Sequence, residues 1–307
     1  MTRRLPAWAL LALLALVLAL GACRKDSPDA AQAPGDPVAA VEGLAKALRD
    51  NDLVRYSQLS LPPDLHARTE SLWNRRVAEA GPVDDADAAE YDKLMARLTA
   101  PQAEAELMRD LEPKLAKLEV EIAGQWPMMQ ATAMIFLNAA IQANTELSAE
   151  EKAHGNEVVA GLMAWAQPSL FTDRARARTA VAALVQTAGE LDLPTLAQAR
   201  ALPMVPAMEK GGIALAGIKR VTLAYGLDLD RALDGVKAEL VSAQGDTARV
   251  KVSYPLLDET VSFEMEMIRR GDGWYSAQSV RDAEAELADA GETAAPAQTG
   301  AAADAAG

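Results

Sequence analysis

The sequence predicts an α+β protein, with a multi-helix body followed by a C-terminal four-stranded antiparallel sheet. Two features predict it. From Pro37 to about Leu233, apolar residues recur at helical spacing between proline and glycine punctuation. After Gly235 they alternate with polar ones, as Ala248, Val250, Val252 and Tyr254 do with Arg249, Lys251 and Ser253. No internal repeat is present.

The first helix opens at Asp36-Pro37, a capping acid followed by a proline suited to the first turn. Val38, Val41, Leu44, Ala45 and Leu48 then keep the helical period until Asn51-Asp52 breaks it. Leu61-Pro62-Pro63-Asp64 starts the next helix, which runs through Leu72 and Trp73 to Gly81-Pro82. Helices over Asp84–Leu98 and Pro101–Gly124 follow, the second carrying Pro113 as an expected kink. Pro127–Thr145 is the most apolar segment. Its polar positions Gln130, Asn138 and Gln142 fall largely on one side, so the sequence predicts a central bundle helix rather than a membrane span. Ser148 with Glu151 is a capping box opening a helix with Val158, Leu162 and Trp165. Thr172–Gly189, Pro194–Leu202 and Pro206–Tyr225 complete the helical body, 37–235, with Gly211-Gly212 weakening the continuity of the last.

The sheet is expected over 236–280. Val236–Val241 is its first strand, and the run around Val250 is the second. Val261, Phe263, Met265 and Met267 mark the third, and Trp274–Val280 the fourth. Its one apolar face needs a helical cover. Residues 281–307 are Ala-rich and acidic, with Leu287 their one large apolar residue, and read as a disordered tail.

At the other end, Thr2-Arg3-Arg4 precedes the apolar run Leu5–Leu20 and then Leu20-Gly21-Ala22-Cys23. Sixteen apolar-rich residues fall below the roughly 20 a helical span needs, so residues 1–22 read as a secretory signal. Leu20-Gly21-Ala22-Cys23 resembles the lipobox of bacterial lipoproteins. The resemblance implies cleavage after Ala22 and acylation of Cys23, the single cysteine. Residues 23–36 then form a flexible tether. Arg24 stands where inner-membrane retention would favour Asp, which implies the outer membrane, facing the periplasm. A lipidated Cys23 leaves no thiol for a disulfide, so packing must supply stability. Loss of Arg3 and Arg4 takes the net charge from −14 to −16. Such an acidic body disfavours nucleic acid and leaves attachment to the acyl chains.

Two stretches also resemble small secreted NTF2-like (cystatin-like) lipoprotein domains, in which a long helix crosses a curved antiparallel sheet. They are DPVAAVEGLAKALRDNDLVRYSQL near the start and GDTARVKVSYPLLDETVSFEMEMIRRGDGWYSA near the end, with its Gly273-Trp274-Tyr275 step. Residues 64 to about 233 would then be a helical insertion larger than its host. NTF2-like folds host several functions, so the resemblance sets no activity.

Chemical constellations are sparse. His66 with Glu70, and His154 with Glu150 or Glu151, have helix-face metal spacing, but two ligands do not make a site. No metal and no cofactor is expected. Asp84, Asp85, Asp87, Glu90 and Asp92 suit the start of a helix. Asp228, Asp230 and Asp234 are similar to a calcium loop, but the glycine comes one residue late, so capping of a short turn is the expected role. No G-x-S-x-G, phosphate loop or dinucleotide fingerprint occurs. Arg174, Arg176 and Arg178 read as a solvated, ion-paired surface, with an anion or partner site as the other reading. Met134, Phe136, Met163 and Trp165 are candidates to line a cavity for a small apolar ligand, against the reading that they are core. The expected function is that of a non-catalytic, lipid-anchored envelope protein acting through contact with another envelope protein. A carrier or sensor of a small apolar ligand is the alternative, and a hydrolase comes third.

Overall fold

The structure, a computed structural model, describes residues 33–122, 124–145 and 147–291. Ala22, Cys23, the rest of the signal segment, most of the tether and the end of the tail lie outside these residues. Among the described residues the fold is α+β, with thirteen helices and a four-stranded antiparallel sheet of order β1-β2-β3-β4. The strands are β1 (Lys237–Gln244), β2 (Thr247–Leu256), β3 (Glu259–Arg270) and β4 (Gly273–Ser276).

Helix α1 (Pro37–Arg49) starts where Asp36 accepts a hydrogen bond from the Ala39 N–H at 2.9 Å. Its Ala40 and Val41 pack on Ala248, Val250, Val252, Met267 and Trp274, so the N-terminal helix covers the C-terminal sheet. Alternation within β2 and β3 supplies that greasy face, while Arg249 and Glu264 pair at 3.0 Å on the other. Further along α1, Leu44 and Ala47 join a second core with α2 (Leu53–Ser60), α3 (Pro63–Glu79) and Tyr275 of β4. Helix α2 is absent from the sequence expectation. Asp52 caps it, and Leu53, Ser57 and Leu59 bury one side of its eight residues.

The C-terminal segment corrects two expectations. Strand β4 ends at Ser276, not Val280, and residues 277–289 form helix α13 (Ala277–Asp289) where a disordered tail was expected from 281. The reason is a stripe. Val280, Ala283 and Leu287 recur at helical spacing and dock in the α1–α3 core, where Leu287 is 1% exposed. Ser276 caps the helix by accepting from the Ser279 N–H.

Between α3 and the sheet lie α4 (Asp85–Leu98), α5 (Ala103–Ile122), α6 (Trp126–Ala143), α7 (Ala149–Trp165) and α8 (Pro168–Thr172). They are followed by α9 (Arg174–Leu191), α10 (Leu196–Arg200), α11 (Met204–Ala224) and α12 (Leu229–Asp234). Pro113 sits inside α5 without ending it. Helix α11 is continuous through Gly211-Gly212, and packing explains the pair. A Cβ on Gly212 would stand 2.2 Å from the Asn51 carbonyl oxygen at the α1–α2 turn. About two helical turns further on, Lys219 is 5% exposed. Its Nζ donates to the Leu48 and Arg49 carbonyls at 2.7 and 2.9 Å, closing the end of α1, and meets Asp230 at 2.8 Å. This joint ties the helical segment to the α1–sheet unit.

Helix α6 is the largest departure. Expected at the centre of a bundle, it has no buried residue and packs chiefly on α7. Gln130 faces that partner and donates to the Met163 carbonyl of α7, and Gly155 lets Ile141 approach to 3.3 Å of where a Cβ would be. Of the polar positions Gln130, Asn138 and Gln142, the first two are half-buried and the third is exposed.

Candidate interaction surfaces

The polar groups that looked chemical in the sequence are engaged in hydrogen bonds and ion pairs within the fold. His66 Nε2 lies 3.3 Å from Ser57 Oγ, and both residues are buried. The Ser57 hydroxyl donates to the Val54 carbonyl at 3.0 Å, so the ring nitrogen is the donor to Oγ. The pair joins α2 to α3 and has no opening for a substrate. Burial lowers the His66 pKa from its ordinary 6.5, against the opposing pull of Glu70. His154 of α7 is half-buried, with Nε2 2.7 Å from the Tyr254 hydroxyl and its ring centroid 4.5 Å from that of Phe263. Burial lowers its pKa too, with Glu157 and Glu151 opposing, and pushes Tyr254 up to about 12. This contact fastens α7 to the sheet. Among the described residues no group of three or more His, Cys, Asp or Glu stands close enough to hold a metal.

These histidines set a pH dependence. Their folded pKa values lie below the unfolded value near 6.5, so the unfolded chain binds more protons in the interval between the two. Stability from the neutral rings is present above that value and is lost as pH falls through it. Urea midpoints are expected to drop between pH 7.5 and 5.5, and a His66→Gln, His154→Gln double variant should flatten that part of the profile. An unchanged slope would remove the histidines from the account.

The acids and arginines resolve similarly. Asp228 caps α12 by accepting from the Arg231 N–H, as expected for a turn. Asp234 and Asp230 pair with Arg49 at 2.9 and 3.6 Å. Arg174 pairs with Glu119 at 2.6 Å, and Arg176 donates to the Ala224 carbonyl closing α11. Asp84 caps α4.

The candidate ligand-cavity residues are not brought together. Phe136 is 70% exposed, so Met134, Phe136, Met163 and Trp165 enclose no common cavity. Trp165 packs instead with Leu227, Leu256 and Val261, its Nε1 donating to the Tyr225 carbonyl at 3.1 Å. Cavities of about 420 and 390 Å³ open elsewhere on the surface, both lined largely by charged residues. The first includes Glu151, Glu264, Arg249 and Arg281, and the second Lys219, Arg220, Glu190 and Asp230.

Among the described residues two surfaces stand uncovered. The first is the outer edge of β1. Among the described residues β1 pairs only with β2, and seven of its eight residues are exposed. The register slips between Leu240 and Ser242, leaving Val241 without a partner residue, and Leu240 and Val241 are each 50% exposed. Eight residues present about 26 Å of main-chain donors and acceptors. The opposite side of the sheet is covered in part. There β4 pairs with Met267–Arg270, the Trp274 N–H donates to the Pro34 carbonyl at 3.2 Å, and α7 lies against β3.

The second is the outward face of α6, where Met128, Met129, Ile135 and Phe136 are 66, 43, 69 and 70% exposed. From Ile122 to Thr145 the chain carries no Asp, Glu, Lys, Arg or His. Sequence reasoning singled out neither Leu240 and Val241 nor this outward set. The bulge left no mark in the alternation of β1, and the uncharged run was visible but assigned to the interior. Comparison of the chain with family models, curated proteins and solved structures returned no match.

Proposed function

We propose that this is a lipid-anchored cell-envelope protein that acts by contact with another protein, accepting an extended segment of that partner along the outer edge of β1. The observation that carries the reading is the open edge itself. An exposed strand edge has unmet main-chain donors and acceptors, which only another backbone or water can satisfy, and native sheets generally blunt or cover such edges. Here the other side of the sheet is covered in part and β1 is not. The half-exposed Leu240 and Val241 offer apolar contact beside the hydrogen-bonding groups.

The lipobox-like Leu20-Gly21-Ala22-Cys23 supports anchoring in the envelope, by the reading above in the outer membrane with the body in the periplasm. The packing of α1 on the sheet supports the NTF2-like reading, with residues 64 to about 233 as the insertion. The exposure of Phe136 weighs against the carrier of an apolar ligand.

The test is in-cell crosslinking of the lipidated protein followed by affinity capture, with Cys23→Ser as the unanchored control. One dominant partner, lost or displaced in the control, is the expected result. No partner above background would overturn the reading.

A further inference from the structure

We infer that the outward face of α6 lies on a lipid bilayer and turns the body so that β1 points away from the membrane. The inference rests on the reading that Cys23 carries lipid. Three observations carry it.

The face is built for hydrocarbon. Ionisable groups are missing from Ile122 to Thr145, in a chain where 24% of residues are charged. Nor does its exposed hydroxyl need a partner, since Thr132 Oγ1 donates to the Met128 carbonyl at 2.8 Å and the helix satisfies its own backbone. The exposed positions of α6 are mostly apolar side chains and alanines, with Thr132 and Gln142 the polar exceptions. The helix is about 27 Å long and no helix among the described residues is long and apolar enough to cross a membrane, so α6 lies along the surface.

Charge selects the same face. A body of net −16 after cleavage is repelled by acidic headgroups wherever its carboxylates stand, and α6 is the long uncharged strip on it. Placement agrees. Nine residues separate Cys23 from Ala33, ten Cα–Cα steps with a reach of at most about 35 Å, so an acylated Cys23 keeps the body beside the bilayer. The chain enters along β4, where Pro34 meets Trp274, and α6 is held by α7 on the β3 side of the sheet. Pro34 meets β4 and α7 meets β3, at the end of the strand order away from the outer edge of β1.

The experiment uses mature protein purified from cells, with Phe136→Cys labelled by an environment-sensitive fluorophore and Leu240→Cys as the control. Each is reconstituted into phosphatidylcholine vesicles with and without acyl-brominated lipid. The mass of the intact protein, measured first, reports whether Cys23 is acylated, and a missing lipid mass would refute the anchoring reading separately. If the mass is missing, the same vesicles are added to the protein in solution.

In either arm, the label at 136 is expected to shift to the blue and be quenched several-fold by brominated lipid, while the label at 240 is unaffected. Ile135→Glu with Met128→Glu should abolish the quenching at 136 and leave the circular dichroism unchanged, because both side chains are largely exposed. Equal emission and quenching at 136 and 240 would overturn the inference. So would a blue shift at 136 that needs no lipid and grows with protein concentration, which would assign the face to a second copy. A crosslink from 136 to another protein in cells, without quenching in vesicles, would assign it to a protein partner.

Discussion

Leu287→Ala is expected to cost about 2–5 kcal/mol, a large fraction of the stability of a domain this size. Leu287 is 1% exposed and packs in the core formed by α1, α2, α3 and Tyr275. Truncation removes its transfer free energy and leaves a cavity among side chains from four helices. Urea denaturation of the full chain reads the cost directly. Leu223→Ala provides the comparison, since Leu223 is 54% exposed and its loss should change little. Equal effects at the two positions would mean that α13 is not docked as described, and that the chain end is the loose tail its composition suggests.

The second large effect belongs to Gly212→Ala. The added methyl would stand 2.2 Å from the Asn51 carbonyl oxygen, a backbone atom that cannot swing aside as a side-chain end could. Asn51 is held at φ +58 in the α1–α2 turn, and Lys219 fixes the end of α1 beside it. A cost of about 3 kcal/mol is expected, at the upper end for overpacking. Gly189→Ala in α9 is the control, because nothing lies within 4 Å of its Cβ position. There, removal of a flexible glycine should stabilise by about 0.5–1 kcal/mol. Opposite signs at two helical glycines would show that close approach, and not helix propensity, fixes Gly212. The same sign at both would break the joint between α11 and the α1–α2 turn.

The fold class was legible because its two periodicities are. The alternation of Ala248, Val250 and Val252 against Arg249 and Lys251 places β2 and its buried face correctly, and β3 follows from Val261, Phe263 and Met267. Capping chemistry was equally clear, as Asp36, Ser148 with Glu151, and Asp228 show. What failed was orientation. The uncharged, apolar run of α6 suits a bundle centre, yet the helix has no buried residue and meets chiefly α7, through Gln130 and the approach of Ile141 to Gly155, which no spacing in the sequence marks.

Small residues caused the other misses. Ala277 and Ala283 count as core once Val280 and Leu287 anchor their helix, but an alanine-rich acidic stretch reads as unable to bury itself. The eight-residue α2 is too short for its period to stand out, and Asp52, which looks like a break in the pattern, is its cap. The β1 surface was beyond reach for a different reason. Edge position is a property of sheet order, and the sequence predicted four strands in a meander without weighing which edge would be left bare.

A photoreactive residue in place of Val241, activated in living cells, tests the central claim most directly. Val241 sits at the bulge without a partner residue on β2 and is half exposed, so its substitution should leave the sheet intact. One protein joined through position 241, and not through a photoreactive residue at the exposed Met128 of α6, is the predicted result. Labelling through Met128 alone, or from neither position, would contradict the assignment of the open strand edge as the contact surface.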